Sequence, residues 1–181
     1  MATVALLGTL DTKGEEYAWL LDRLHGLGVA TLAIDTGSFS TSELADVSSE
    51  AVITAAGVDV AAVRERRDRG EMMGVMGAGA AVVVRELAES GRIHGLLAIG
   101  GSGGSSVAAP AMQALPVGFP KLLVSTMASG DVKPYVGEVD TTLMYSVVDV
   151  AGINSISARV LGNACAGIAG MAQAYEEQLA A

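Results

Sequence analysis

Residues 98–106 read Ala-Ile-Gly-Gly-Ser-Gly-Gly-Ser-Ser, so that positions 100–106 hold four glycines and three serines in seven consecutive residues. Leu96 to Ile99 predicts the end of a buried strand, and Val107 to Leu115 predicts a helix. A glycine-rich strand-to-helix turn leaves backbone N–H groups bare at the positive end of a helix dipole. That arrangement holds phosphate or carboxylate. A tight turn alone needs glycine only to permit positive φ, and this density of Gly and Ser exceeds that need.

The 181 residues suffice for one well-buried domain, or for two small lobes sharing a sheet, 1–90 and 91–181, divided near Glu86 to Ile93. Half of the chain is apolar but only 4% is aromatic, a core of Ala, Val, Leu and Ile that suits parallel strands covered on both faces. Strand and helix patterns alternate from the start. Val4 to Leu7 is a strand, Gly14 to Leu27 a helix with Tyr17, Leu20, Leu21 and Leu24 on one face, and Val29 to Ile34 a second strand. A polar excursion follows through Glu50, then a charged helix over Asp59 to Arg69 and a longer one over Glu71 to Ser90. Gly74, Gly77 and Gly79 either form a small-residue groove in that helix or interrupt it. Lys121 to Val124 is another strand, one more falls within Val136 to Val148, and Asn154 to Leu179 is a long final helix. The expected fold is α/β: an open, mainly parallel, Rossmann-like sheet with helices on both faces.

A net charge of −9 without a basic stripe argues against nucleic acid. Arg64, Arg66, Arg67 and Arg69 are interleaved with Glu65, Asp68 and Glu71, as on a solvated helix. No apolar run reaches eighteen residues and no leader pattern opens the chain, so a cytoplasmic protein without membrane contact is expected. Cys165 is alone among small residues and reads as packing. His25 and His94 give no reason to pair with it.

Three further stretches follow predicted strands and should gather with the Gly-Ser turn at one end of the sheet. Gly8-Thr-Leu-Asp-Thr-Lys-Gly14 offers the Lys13 charge and the Thr9 and Thr12 hydroxyls near a helix start, while Asp11 either caps that helix or faces a ribose or metal. Its glycine spacing is not that of a P-loop. Asp35-Thr-Gly-Ser38 is either an ordinary turn or an acidic partner for a ribose. Ser125-Thr-Met-Ala-Ser-Gly-Asp-Val-Lys-Pro-Tyr135 supplies more small and polar groups. Gly101 and Gly103 fit a dinucleotide fingerprint, but Ser106 stands at its third glycine position. No histidine pair, nucleophile elbow or acid/base dyad stands out, so the sequence speaks for binding more than for a reaction.

These blocks, in this order, resemble the ATP-binding domain family named after the tomato mosaic virus resistance protein. The resemblance rests on Asp11-Thr-Lys13, Asp68-Arg-Gly70, Gly100-Gly-Ser-Gly-Gly104, Leu115-Pro-Val-Gly-Phe-Pro-Lys121 and Val124-Ser-Thr-Met-Ala-Ser-Gly130. Pro134-Tyr-Val-Gly137, Ser146-Val-Val-Asp-Val-Ala-Gly-Ile-Asn154 and Ala169-Gly-Met171 complete it. It implies ATP as ligand, with or without Mg2+, self-association, and a second, barrel-like domain of similar size as a partner in the same chain or as a separate subunit. It implies no established reaction. Within these motifs the nucleotide is assigned to Gly101, Ser102, Gly103, Gly104 and Ser105. Thr9, Asp11, Thr12, Lys13 and Asp35 approach from the first two strands, and Thr126, Ser129, Gly130 and Asp131 from the neighbouring loop. Two alternatives stay open: an enzyme acting on a small phosphorylated or carboxylated metabolite, and an oligomerisation module. A homo-oligomer, most simply a dimer, is expected through the small-residue seam Ala158, Gly162, Ala166 and Gly170.

Overall fold

The computed structural model describes residues 1–39 and 41–181, so Ser40, two residues past the Asp35-Thr-Gly-Ser38 motif, lies outside the described residues. In chain order the elements are β1 (Thr3–Gly8), α1 (Gly14–Gly26), β2 (Ala30–Asp35), α2 (Ser49–Ala55), α3 (Val60–Arg66), α4 (Arg69–Glu89) and β3 (Gly95–Gly100). There follow α5 (Ser102–Gln113), β4 (Lys121–Ser125), a 3-10 turn (Thr126–Ser129), α6 (Lys133–Val136), β5 (Thr142–Tyr145) and α7 (Ser155–Ala180). The five strands form one sheet in the order β2-β1-β3-β4-β5, and every pairing is parallel.

Alternation along each strand divides the core in two. Ala5 and Leu7 of β1, Ile34 of β2 and Ala98 of β3 face α2, α3, α4 and α5, where Val52, Val63, Met72, Met76, Val107 and Met112 meet them. Val4, Leu6, Ala33, Leu97 and Val124 face the opposite way, onto Tyr17, Leu20 and Leu24 of α1 and Leu161, Cys165 and Ile168 of α7. Burial pushes the Cys165 thiol up to about 12, so it stays an inert packing group.

The structure moves several expected boundaries. The Gly-Ser stretch is not a loop ahead of a helix: α5 begins at Ser102, so the turn shrinks to Gly101 and the glycines form the first helical residues. Close packing drives this, because a Cβ on Gly100 would lie 3.0 Å from the Gly104 Cα. The helix α4 is continuous through its glycines and starts earlier than expected, with the Asp68 carboxylate accepting from Glu71 N at 3.0 Å. Gly77 there lies under Pro110 of α5, and a Cβ on Gly79 would stand 2.0 Å from the Val52 carbonyl oxygen. The short helix α2 has no counterpart in the sequence reading, seven residues being too few to show a period. The excursion after β2 guards the sheet edge, since Asp46 and Val47 donate to the Ala33 carbonyl and the Asp46 carboxylate accepts from Ala33 N at 2.8 Å. On α7 the small-residue seam lies outward, with Ala166 and Gly170 exposed and Gly162 beside Arg23 of α1.

Candidate functional site

A parallel sheet in this order reverses its winding between β1 and β3. The connection leaving β1 returns over the α1 face to β2, while the one leaving β3 passes over the other face through α5 to β4. The two connections diverge above the strands' carboxyl ends and leave a crevice there, the usual ligand position in such sheets. Leu7, Gly8, Thr9, Lys13, Thr36, Ser38, Ile99, Gly103 and Gly104 line it, and Met73, Met76, Val107 and Ala108 form its apolar wall.

Tyr17 sets the crevice floor. Its buried hydroxyl donates to the Leu7 carbonyl and accepts from Ile99 N at 3.3 Å, just past the point where the β1–β3 ladder ends at Leu7 and Ala98. Gly8 makes room for the phenol, because a Cβ there would fall 2.1 Å from Tyr17 Oη. Burial drives the Tyr17 phenol well above its ordinary ionisation range, so it is a neutral strut and not a base.

Among the described residues, four long helices start at this end of the sheet, and they treat their N-termini differently. Glu15 and Glu16 sit in the first turn of α1. Asp68 caps α4, and Glu71 follows. Asn154 caps α7 in a reciprocal box with Ser157. By contrast α5 starts from Gly101 with no side-chain cap and no acidic residue in its first turn. The first N–H groups of such a helix have no intrahelical acceptor. Gly103 and Gly104 carry theirs at the crevice wall, and a Cβ on Gly103 would meet nothing within 4 Å. Among the described residues that line the crevice, Lys13 is the single charged one. Its ammonium donates to the Val150 carbonyl in the loop between β5 and α7.

The predicted site residues divide into groups. Thr9, Lys13, Gly103 and Gly104 line the crevice. Gly101 and Ser102 stand at the start of α5, with Thr126 close by: a Cβ on Gly101 would lie 3.5 Å from its Oγ1. Thr12 is exposed and donates to Thr9 Oγ1 at 2.9 Å. Ser105 is buried and its hydroxyl is tied to Ser125 Oγ at 2.6 Å, which locks α5 to β4. Ser129, at the end of the 3-10 turn, and Gly130 and Asp131 beyond it are exposed, and none lines the crevice.

Asp35 points the other way. Strand alternation sends its side chain to the Ala33 face, beneath the β1–α1 turn, where it is 0% exposed. Its Oδ1 accepts from Leu10 N at 3.2 Å and Gly37 N at 2.8 Å, and its Oδ2 has no partner among the described residues. Burial raises its pKa, the two N–H groups oppose this, and the Asp11 and Glu50 charges add to the rise. Asp35 fastens one turn to another instead of facing the crevice. Asp11 crowds the same spot, its Oδ1 standing 2.6 Å from where a Gly37 Cβ would be.

The sequence reading missed Thr36 and Ser38 as lining residues, along with Met73 and Met76. Alternation carried the signal for Thr36: a strand-end residue next to an inward Asp35 turns outward. Met73 and Met76 share a helix face at a spacing of three, and Met73, at 38% exposure, is an apolar side chain left open in the crevice.

Residues 2–177 match the N-terminal domain of an uncharacterised protein family, UPF0261. The chain belongs to that family. It is 42% identical over 177 residues to a UPF0261 protein of Clostridium tetani, covering 97% of this chain and 44% of that one. A UPF0261 protein of Rhizobium meliloti is 38% identical over 180 residues, 99% of this chain and 44% of the relative. The ToMV resistance protein Tm-1(GCR237) of tomato is 32% identical over 184 residues, 93% of this chain and 24% of that protein. The chain thus spans less than half the length of these UPF0261 relatives. The resemblance drawn from the sequence motifs holds at the level of this family.

Proposed function

We propose that this UPF0261 domain binds a nucleotide, ATP, with its phosphates at the start of α5. The observation that supports this reading is an uncapped helix N-terminus opening into the crevice at the sheet's reversal point. Its exposed donors and the Lys13 ammonium suit an anion in an otherwise acidic protein. The Ser102, Gly103 and Gly104 N–H groups take the phosphate oxygens, and the Met73–Met76 wall takes the flat base. A thioether is polarizable and packs well on aromatic rings. Any Mg2+ arrives with the phosphates.

The crevice volume, ≈ 210 Å³, favours a second reading. Small-molecule pockets commonly span roughly 300–1,000 Å³. A whole nucleotide therefore overhangs the rim, whereas a small phosphorylated metabolite fits inside, as an enzyme acting on such a compound would require. A thermal-shift panel of ATP, ADP, NAD and a sugar phosphate, with and without magnesium, separates the two. A ligand at one hundred times its dissociation constant adds about 2.7 kcal/mol of stability. Stabilisation by ATP above the sugar phosphate is expected. The reverse order selects the metabolite, and no shift with any compound rejects both.

A further inference from the structure

We infer that the segment 146–153, between β5 and α7, is a latch that a phosphate in the crevice releases through Lys13. The inference rests on the phosphate reading above and adds to it a regulated element. The latch holds a strained turn. Val148 N donates to the Ser146 carbonyl at 2.8 Å, closing a three-residue γ-turn, and Val147 at its centre has φ +68°. That is the rare hand of the γ-turn, and a β-branched residue is poorly suited to it. Packing of the Val147 side chain does not enforce this conformation, since the residue is 57% exposed. Beside it the Ser146 hydroxyl is buried without a partner among the described residues.

The turn persists because the N-cap and first turn of α1 clamp the segment from the other side. Glu16 Oε1 accepts from Gly152 N at 2.6 Å, and the Lys13 ammonium donates to the Val150 carbonyl. Val150 in turn is seated in the core between α1 and α7. One of the two clamps therefore belongs to a residue that also lines the crevice. A phosphate is a far stronger partner for an ammonium than a neutral carbonyl. A ligand that draws Lys13 to itself removes a clamp from a segment already under strain, and the segment opens. By linkage, anything that favours the closed segment weakens the ligand.

Hydrogen exchange over residues 146–153 tests this, with ATP, inorganic tripolyphosphate or adenosine added and binding followed by thermal shift in the same samples. Exchange is expected to quicken at least threefold with ATP or tripolyphosphate and to stay unchanged with adenosine. Lys13→Met should exchange fast without ligand and respond to none. Val147→Gly, which relieves the strain without touching the crevice, should keep the segment closed and weaken ATP severalfold. A slow segment in ligand-free Lys13→Met overturns the latch, as does Val147→Gly binding ATP as tightly as the unaltered protein. Binding of ATP with no change over 146–153 overturns the latch alone. No binding of ATP or tripolyphosphate to the unaltered protein overturns the phosphate reading beneath it.

Discussion

The β1–α1 turn closes upon itself, whereas the β3–α5 turn across the crevice ends in bare backbone. In the first, Lys13 N donates to the Thr9 carbonyl at 2.9 Å, Thr12 bonds Thr9, and Glu15 and Glu16 compensate the helix dipole. Asp35 holds Leu10 N from below, and Tyr17 rises from α1 to bridge both strands. In the second, Gly101 offers no cap and nothing acidic follows. Both turns have the same strand–helix topology and both sit at the sheet's reversal point. One spends its polar groups on structure, and the other leaves them for a ligand. Glycine therefore has opposite meanings in the two turns: Gly8 is required by a neighbour's bulk, and Gly103 borders open space.

The contrast breaks most sharply at those glycines. Gly8→Ala places a Cβ against the Tyr17 hydroxyl and must expel the phenol from its two strand contacts. A loss of about 3 kcal/mol in folding free energy is expected, the scale of overpacking a buried site. Urea denaturation checks it, and a variant as stable as the parent would show that Tyr17 moves aside freely. Gly103→Val should keep the fold, since nothing native occupies the position, while the side chain fills the phosphate's place. ATP affinity should fall by at least roughly thirtyfold, about 2 kcal/mol at RT ≈ 0.59 kcal/mol per e-fold, measured by calorimetry on a sample with parental circular dichroism. Unchanged affinity in that folded sample would remove α5 from the site.

A smaller effect separates charge from scaffold in the first turn. Lys13→Ala should weaken ATP about tenfold, the scale of one charge-assisted contact near 1.5 kcal/mol, and leave adenosine unchanged. Equal losses for both ligands would mean that the substitution damages the α1 start and that Lys13 belongs wholly to the closed turn.

Much of this contrast could be read from residue order, because apolar runs of strand length alternate with helical periods and the polar clusters fall at the strand ends. A mainly parallel sheet with two covered faces follows from that pattern. The strand order does not, since hydrophobic strands of similar length carry no label for their neighbours. The start of α5 was hidden for a local reason. Gly and Ser disfavour helix on their own, and only packing on β3 and the Ser105–Ser125 bond place them in one. Ser129 to Asp131 share a motif with Thr126 but lie at the end of a 3-10 turn and beyond it, and that turn carries the chain away from the crevice. Distance from a strand end does not decide which residues line the crevice, since Lys13 and Gly104 stand at least as far from their strands as Ser129 stands from β4.

The smallest expected effect concerns Asp35, which belongs to the closed turn although its sequence position suggested a ligand. Its folded pKa lies above the ordinary 3.8, chiefly because the carboxylate loses water on burial. An acid whose pKa rises on folding binds its proton more tightly in the native state. Its contribution to stability is therefore greatest below the ordinary value, declines as pH rises from there to the raised pKa, and is constant above. Asp35→Asn keeps an acceptor for Leu10 N and Gly37 N and removes the charge. Measured as the difference in urea denaturation between variant and parent, relative stability should shift in the variant's favour as pH climbs from about 3.8. It should then level off, with a total change on the order of 1 kcal/mol, the scale of one buried unsatisfied group. A parallel pair of pH curves would mean that the Asp35 charge costs nothing in the fold. Its free oxygen would then have a partner, and the division between a closed turn and an open one would be weaker than the geometry implies.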